Sequence, residues 1–391
     1  MNDRTILHCD CNAFFASVEC LLNSKLLTVP MAVAGDSESR RGIILAKNEI
    51  AKRYNVQTAE TIAKAKTKCP DLVLVPPRHD IYEEYSEAVN SIYLEYTDLA
   101  ERFGIDETWL DVTGSYGLFG DGKTIADALR ERIKKEIGIT ISVGVSFNKV
   151  FAKFGSDYKK PDATTVITRE NYKEIIYPVP VSELLLVGKK TAEILKKMYI
   201  FTIGDLANAD LTLLKRKFGK LGETLYVYAT GLDNEPVKSA YCDENVKSVG
   251  KGRTFPYDIT HADDIKKEIY TLSDNVARRL RKNRKKCNCV QVQMKDSNFK
   301  ITSKQTFFNS PSHTAFDIAE CALKLFFELN ISGEPVRSLT VTAHNLIDED
   351  SMEQLSFLEA DDDKKEKIEC TVDRLKDIYG DSIIKRGSNL K

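Results

Sequence analysis

The apolar run in "TILHCD" (5–10) predicts a buried strand that ends on Asp10. Directly after it, "NAFFASVECLLN" sets Phe14, Val18 and Leu21 on one stripe at helical spacing. "MAVAG" and "GIILA" read as short buried strands, "NEIAKRY" and "AETIAKAKTKC" as helices, and "DLVLVPP" as a strand closed by prolines. An amphipathic helix from about His79 to Tyr96 leads into "RFGIDETWLDVTGS" (102–115), where a glycine turn precedes the apolar–polar alternation of a strand. "KTIADALRERIKKEIG" is a helix that stops at Gly138, as a C-cap requires, and "TISVGVSF" and "KPDATTVIT" are strands. Strands interleaved with long helices predict an α+β core, with residues 11–74 inserted into it.

The pattern then changes twice. Residues 170–232 read as helices throughout. Within them "LLLVGKKTAEILKKMYIFTIGDLA" (184–207) has a Val-Gly turn, a helix from Thr191, and Thr-Ile-Gly-Asp opening the next helix. This resembles a helix-hairpin-helix module, which offers backbone N–H groups at a helix start to a nucleic-acid phosphate; Gly188 and Lys189 are the candidates for that contact. Tyr199 occupies the place of the usual second turn glycine. From Val246 the order is β-α-β-β-α-β. In "CVQVQMK", Val290, Val292 and Met294 share one face and Gln291, Gln293 and Lys295 the other; in "RSLTVTA", Leu339, Val341 and Ala343 alternate with Ser338, Thr340 and Thr342. Such a sheet buries its apolar face on helices and leaves an amide, hydroxyl and lysine face open to a phosphate backbone.

Composition changes this picture only where it is uneven. The 391 residues exceed what one core usually holds, are 42% apolar and 29% charged, and contain no run apolar enough for a membrane span. "MNDRTILHCD" has no signal-peptide pattern. Nine cysteines without a C-x-x-C pair point to neither a disulfide framework nor a zinc ribbon, and to a reducing cytoplasm. The formal net charge of −1 hides a segregation: residues 246–345 hold 17 Lys+Arg against 10 Asp+Glu, and 346–391 hold 8 against 13. "RRLRKNRKK" (278–286) carries seven cations in nine residues, which makes Arg278, Arg279, Arg281, Lys282 and Arg284, with Lys295, candidates for DNA phosphate contacts.

The candidate chemistry lies in the acids. Asp10 ends one strand, and Asp106 and Glu107 open another beside the only tryptophan, Trp109. If the two strands are neighbours, three carboxylates meet at one sheet edge, an arrangement that makes sense only around a cation. Hard oxygen ligands suit Mg²⁺ carrying substrate phosphates, and two such ions can clamp an in-line phosphoryl transfer. Adjacent strand residues point to opposite faces, so Asp106 and Glu107 serve together only at a bend, which Gly104 supplies. The plainer alternative is a solvated turn.

"DCNAFFASVE" (10–19), "GIDETWLDVTGS" (104–115) and "SVGVSFNKVFAKFGSDYKKPDA" (142–163) together resemble the Y-family DNA polymerases, and among them the bacterial translesion group. The likeness runs in order from about residue 5 to 345. It implies an α+β multidomain chain: palm (1–10 and 75–165), fingers (11–74), helical thumb (166–232), linker (233–245), β-α-β-β-α-β little finger (246–345) and tail (346–391). It further implies that Asp10, Asp106 and the main-chain carbonyl of Cys11 hold two Mg²⁺ ions, with Mn²⁺ able to substitute, and that Glu107 holds the catalytic ion near a primer 3′-OH. Phe15 matches the steric gate against a ribose 2′-OH, Phe14 borders the triphosphate, and Lys160 matches the triphosphate lysine.

The fingers depart from the family pattern. Where an Asn-Tyr-x-Ala-Arg stretch is common, this chain reads "NEIAK" (48–52), so Lys52 replaces a bidentate arginine by a point charge and Glu49 stands where a tyrosine is usual. In the acidic tail "QLSFL" (354–358) resembles the peptide that bacterial polymerases insert into the sliding clamp, with Gln354, Leu355, Phe357 and Leu358 as anchors. The resemblance thus implies a monomeric enzyme of the bacterial cytosol that extends primer-template DNA with dNTPs at low fidelity, tethered by the clamp. A non-catalytic DNA-binding or scaffolding relative of the same fold is the alternative, and a nucleotidyl cyclase built on a palm-like core is a third reading.

Overall fold

The computed structural model describes residues 3–35, 42–242, 246–349, 362–380 and 383–384. They divide into two compact units at Asp243/Glu244. The first opens with β1 (Ile6–Cys11) and the helix α1 (Phe14–Leu22). It continues through β2 (Met31–Ala34), β3 (Ile44–Lys47), α2 (Glu49–Arg53), α3 (Ile62–Lys68) and β4 (Val73–Val75). After α4 (His79–Leu94) come β5 (Ala100–Arg102), β6 (Glu107–Asp111), α5 (Tyr116–Phe119), α6 (Gly122–Glu136), β7 (Ile141–Ser146), α7 (Lys149–Tyr158) and β8 (Thr164–Val166).

Five strands form a sheet in the order β5-β6-β1-β7-β8, with β1 antiparallel to both neighbours. Every residue of β1 is buried, the polar His8 and Asp10 included. Leu7 and Cys9 of β1 share one core with Phe14 and Val18 of α1, Tyr82 and Val89 of α4, and Ile125 and Leu129 of α6. The helix α7 packs closely on β7. Gly144 permits this approach, because a side chain there would meet the carbonyl of Ala152 at 1.9 Å. The close packing matters for the site, since α7 and the turn after it carry Lys153 and Lys160.

The inserted segment does not behave as one piece. Its helix α1 belongs to the main core, while β3-β2-β4 form a separate three-stranded sheet packed with α2 and α3 around Ile44, Ala51, Val56 and Ile62. Strand β4 pairs in parallel with β2 and straddles the expected division at 74/75. Asn48 ties this piece together: its Oδ1 accepts from the Ala51 N–H at the start of α2, and its Nδ2 donates to the carbonyls of Leu26 and Val29.

The helical run is α8 (Tyr172–Ile176), α9 (Lys189–Lys197), α10 (Ile203–Ala207), α11 (Leu211–Phe218) and α12 (Lys220–Thr230), built on its own cluster of Val181, Leu195, Ile203, Leu214 and Leu225. Helix α9 begins at Lys189, two residues before the expected Thr191, with Gly188 as its N-cap. Thr202 and Asp205 form a reciprocal capping box on α10. Tyr199 adopts φ 61°, the left-handed conformation that glycine would take without strain, and its ring is 83% exposed. The turn therefore survives the loss of its glycine, at a cost of about 1–2 kcal/mol.

The second unit is β9 (Ser248–Ile259), α13 (Ala262–Lys282), β10 (Lys285–Asp296), β11 (Ile301–Ser312), α14 (Ala315–Leu329), β12 (Val336–Asp348) and α15 (Asp362–Tyr379). Its antiparallel sheet has the order β11-β10-β12-β9, with α13 and α14 packed on one face. Val290, Val292, Met294, Leu339, Val341 and Ala343 are buried beneath those helices, as their alternation predicts. On the opposite face Gln291, Gln293 and Lys295 stand level with Thr342, Thr340 and Ser338. Gly250 and Gly252 of β9 continue that row beside Thr342 and Thr340, with no side chain to cover the hydroxyls.

Candidate active site

The β1–β6 register sets Asp10 directly opposite Glu107. Asp106 lies in the bend just before β6, where its carbonyl accepts the Cys11 N–H at 3.0 Å. The N–H groups of Phe103 and Gly104 both turn back onto the Glu107 carbonyl, which is the bend the adjacent acids require. Asp10, Cys11, Asp106 and Glu107 therefore meet at one end of the central strands. Trp109 belongs to the packing instead: it is buried with Ile6, Ala152 and Val237, and its Nε1 donates to the Lys149 carbonyl at 2.9 Å.

The three carboxyls differ sharply in electrostatics. Burial pushes Asp10 up to about 6, against the pull of Lys160, whose Nζ lies 2.6 Å from Asp10 Oδ2; Glu107 and Asp157 add repulsion. Asp106 is also raised, by burial and then by Glu107. Burial would raise Glu107 too, but the Lys153 ammonium and the His8 ring, whose Nε2 lies 3.2 Å away, outweigh it and bring the carboxyl down to about 2. Lys160 resists its own desolvation because Asp10 and Asp157 hold it charged, the latter at 2.7 Å.

Among the described residues, the set of possible metal ligands lying within 4.8 Å of one another is found elsewhere, at His313, Glu349 and Glu366. Like charges repel, so Asp10 takes Lys160 and Glu107 takes Lys153 rather than each other. The donor set fits a hard divalent cation all the same: two desolvated carboxylates and a third held ionised, with two lysine ammoniums already drawn among them.

His8, Lys153, Glu19, Arg78 and Tyr82 were not singled out by the sequence. His8 is buried, its pKa pushed down by burial, with Nδ1 2.8 Å from Ser156 Oγ and Nε2 3.2 Å from Glu107 Oε2. The ring of Phe15 stacks on Tyr82 with centroids 4.2 Å apart and planes 15° off parallel. Tyr82 donates its hydroxyl to Glu19 Oε1 at 2.7 Å, and Arg78 Nε donates to the same oxygen at 3.0 Å. The Phe15 ring thus rests on a platform that the buried Glu19, paired with the half-exposed Arg78, fixes. Glu19 stood in the quoted "DCNAFFASVE", four residues after Phe15 and so on the same side of the helix, and that spacing is the signal that could have found this support.

Several of the expected contact residues have partners within the protein. Phe14 is 3% exposed and packed in the main core, so its ring is unavailable to a nucleotide. Lys52 is exposed and pairs with Glu49 at 3.4 Å, one turn of helix α2 away. Residues 278–282 of the basic run lie on α13, which covers the apolar face of the sheet, and only Lys285 and Lys286 enter β10. Arg281 donates to Glu369 and Asp373 of α15, Arg278 to Asp377, and Arg279 to the carbonyl of Gly250. Glu366, Glu369, Asp373 and Asp377 recur at helical spacing, so the acidic tail lays one stripe of α15 along this run. Charge complementarity within the unit uses up arginines that the sequence offered to DNA. Lys282 and Arg284 stay exposed at the end of α13, and Lys295 stands on the polar sheet face.

Comparison with known proteins agrees with this architecture. Residues 9–157 match the model of the impB/mucB/samB family, 246–357 its C-terminal domain, and 184–233 a thumb domain described for DNA polymerase-iota. The DNA polymerase IV of Acetivibrio thermocellus is 46% identical over 98% of this chain and 97% of its own length. That of Clostridium kluyveri is 35% identical over 99% and 98%. Among solved structures, a Y-family DNA polymerase chimera of Dbh and Dpo4 superposes with a TM-score of 0.80 at 25% identity, covering 88% of this chain and 99% of that one. An insertion ternary complex of Dbh DNA polymerase gives 0.62 over the same shares. The α+β core, hairpin helices and C-terminal sheet thus define a polymerase, and the chain belongs to the Y family, in the group of the bacterial DNA polymerase IV proteins. It is a DNA-directed DNA polymerase. No helix among the described residues is long and apolar enough to cross a membrane.

Proposed function

We propose that this polymerase carries out low-fidelity translesion synthesis, joining dNTPs to a primer 3′-OH with the help of two Mg²⁺ ions. The observation that carries the reading is the meeting of Asp10, Asp106 and Glu107 at one strand end with Lys153 and Lys160 drawn onto them. Asp10, Asp106 and the Cys11 carbonyl would hold the ions, with Glu107 beside the 3′-OH. The bound ions would supply charge stabilisation at the attacking and leaving oxygens of an in-line displacement. Lys160 sits on Asp10 in the free chain and is available to a triphosphate once that carboxylate has another counter-charge. His8 and Lys153 keep Glu107 ionised, and Phe15 occupies the volume a 2′-OH would need.

In this reading residues 1–10 and 75–165 are the palm, 11–74 the fingers, 166–232 the thumb, 246–345 the little finger and 346–391 the tail. The α1 helix then works as palm in its packing, since Phe14 and Val18 lie in the main core, whereas Leu21 is exposed. Primer-template backbone would be held by the N–H groups at the start of α9 and by the polar face of β10 and β12. Extension of a labelled primer on undamaged and damaged templates tests the function. A chain that binds the duplex and never extends it would be the non-catalytic relative.

Two further results are expected. Asp10 must lose its proton to hold a cation, so the Mg²⁺ concentration for half-maximal extension rises as pH falls through about 6, by about tenfold between pH 7 and pH 5. A requirement that stays flat over this range refutes Asp10 as a ligand. The clamp peptide 354–358, with Gln354, Leu355, Phe357 and Leu358, lies outside the described residues. Deleting it should abolish stimulation by the sliding clamp and leave unassisted synthesis unchanged, because tethering acts through effective concentration alone. Equal loss of both activities would exclude the tether.

A further inference from the structure

The turn between β11 and α14, the end of β12 and the helix α15 each send one residue to the same point: His313, Glu349 and Glu366. His313 is 1% exposed, yet both of its ring nitrogens lack a hydrogen-bond partner. Its Nε2 stands 3.3 Å from Glu366 Oε1 and its Nδ1 3.9 Å from Glu349 Oε1. A buried imidazole without a hydrogen bond is uncommon, and one flanked by two carboxylates that still makes none needs a reason.

We propose that these residues form a site for a divalent transition-metal ion of the Zn²⁺ type, which fastens α15 to the C-terminal unit. Direct hydrogen bonding would put the carboxylate oxygen on the axis of the ring nitrogen. An ion on that axis displaces its other ligands to the side. Ligands held ~2.1 Å from a tetrahedral ion lie about 3.4 Å apart, and the His313–Glu366 pair is close to that separation while out of hydrogen-bond geometry. One ion binds one ring nitrogen, so with the ion on Nε2 beside Glu366 the Glu349 carboxylate has to swing from its place 3.9 Å from Nδ1; one ligand atom of each residue already lies within 4.8 Å of the others. Glu349 and Glu366 keep 33% and 34% of their side-chain surface, which leaves an entry path and room for water as the fourth ligand. One imidazole and two carboxylates suit Zn²⁺ better than Mg²⁺, which prefers oxygen ligands alone. The ions that serve polymerisation would therefore not compete well for this site.

The neighbouring contacts give the ion something to hold. Glu369 of α15 accepts the Ala315 N–H at the start of α14 and pairs with Arg281, itself 9% exposed. Lys365 lies over the ring of Phe316. The ion would close the end of this seam nearest the chain segment that leaves β12.

Titrating the full-length protein with Zn²⁺ in excess Mg²⁺, followed by calorimetry and by metal analysis after dialysis, tests the assignment. One ion per chain is expected, with affinity at least tenfold weaker in Glu366→Gln and in Glu349→Gln. Zn²⁺ should also slow proteolytic release of α15 in the parent chain and not in Glu366→Gln. Primer extension without the clamp should be the same in parent and variants, because none of these residues touches the sheet-edge acids. Absence of stoichiometric Zn²⁺, or equal affinity in both variants and the parent, overturns the proposal. His313→Ala adds a further check where the variant folds.

Discussion

Asp106→Asn and Glu107→Gln should each lower primer extension by roughly three orders of magnitude while leaving primer-template binding within a few-fold of the parent, if these acids hold the ions as proposed. Both substitutions keep side-chain volume and remove only the charge that a cation needs. DNA contacts are assigned to other elements, the start of α9 and the polar sheet face, so gel-shift affinity separates a lost reaction from a lost fold. Asp10→Asn should be equally inactive, yet its stability moves the other way from that of Glu107→Gln. Burial raises Asp10 from 3.8 to about 6, so ionised Asp10 destabilises the ion-free fold. That penalty is complete above pH 6, absent below about 4, and worth ~2–3 kcal/mol. Removing the charge at pH 8 in the presence of a chelator should then raise the melting temperature by several degrees. Glu107 is lowered from 4.5 to about 2, so its stabilisation is full above pH 4.5 and is lost as pH falls through 2. Glu107→Gln should accordingly lower the melting temperature at pH 8. Melting shifts of the same sign in the two variants would show that the electrostatic assignment is wrong, and retained extension in either would refute the catalytic one.

Phe15→Ala should admit ribonucleotides, reducing the preference for dNTPs over rNTPs on the order of 10²-fold, with dNTP extension itself changed far less. The reason is volume: a ring held in a fixed place rejects a hydroxyl, and a methyl group does not. Its fixation depends on the stack with Tyr82, whose hydroxyl is bound by Glu19. Tyr82→Ala should therefore relax the preference partially, and Tyr82→Phe, which keeps the ring, hardly at all. Single-nucleotide incorporation with each dNTP and rNTP measures all three. An unchanged ratio in Phe15→Ala removes Phe15 from this role; a Tyr82→Ala variant as selective as the parent would mean that the stack does not position the gate.

The acids show how far local pattern reaches. Asp10 at the end of an apolar run, and Asp106 and Glu107 after a glycine bend, were visible because strand termination and turn chemistry are local. The alternation in 290–295 and 338–343 foretold which face of the C-terminal sheet is buried, since the side-chain period of a strand is fixed at two. Helical spacing likewise set Phe14 beside Val18 and so foretold its burial. Nothing local showed that Phe15 would stack on Tyr82, because packing against a partner 67 residues away decides that contact.

The amino-acid sequence by itself determined the order of elements, the family, and the residue types at the sheet edge. Each follows from spacing along the chain and from motifs short enough to be read in place. Only the tertiary structure decided which charges meet. It drew Lys153 and His8 to Glu107, set Lys160 on Asp10, and laid the acidic stripe of α15 over Arg278 and Arg281. A charge acts through space over a few ångströms and is indifferent to separation along the chain, so its partner is fixed by packing rather than by pattern.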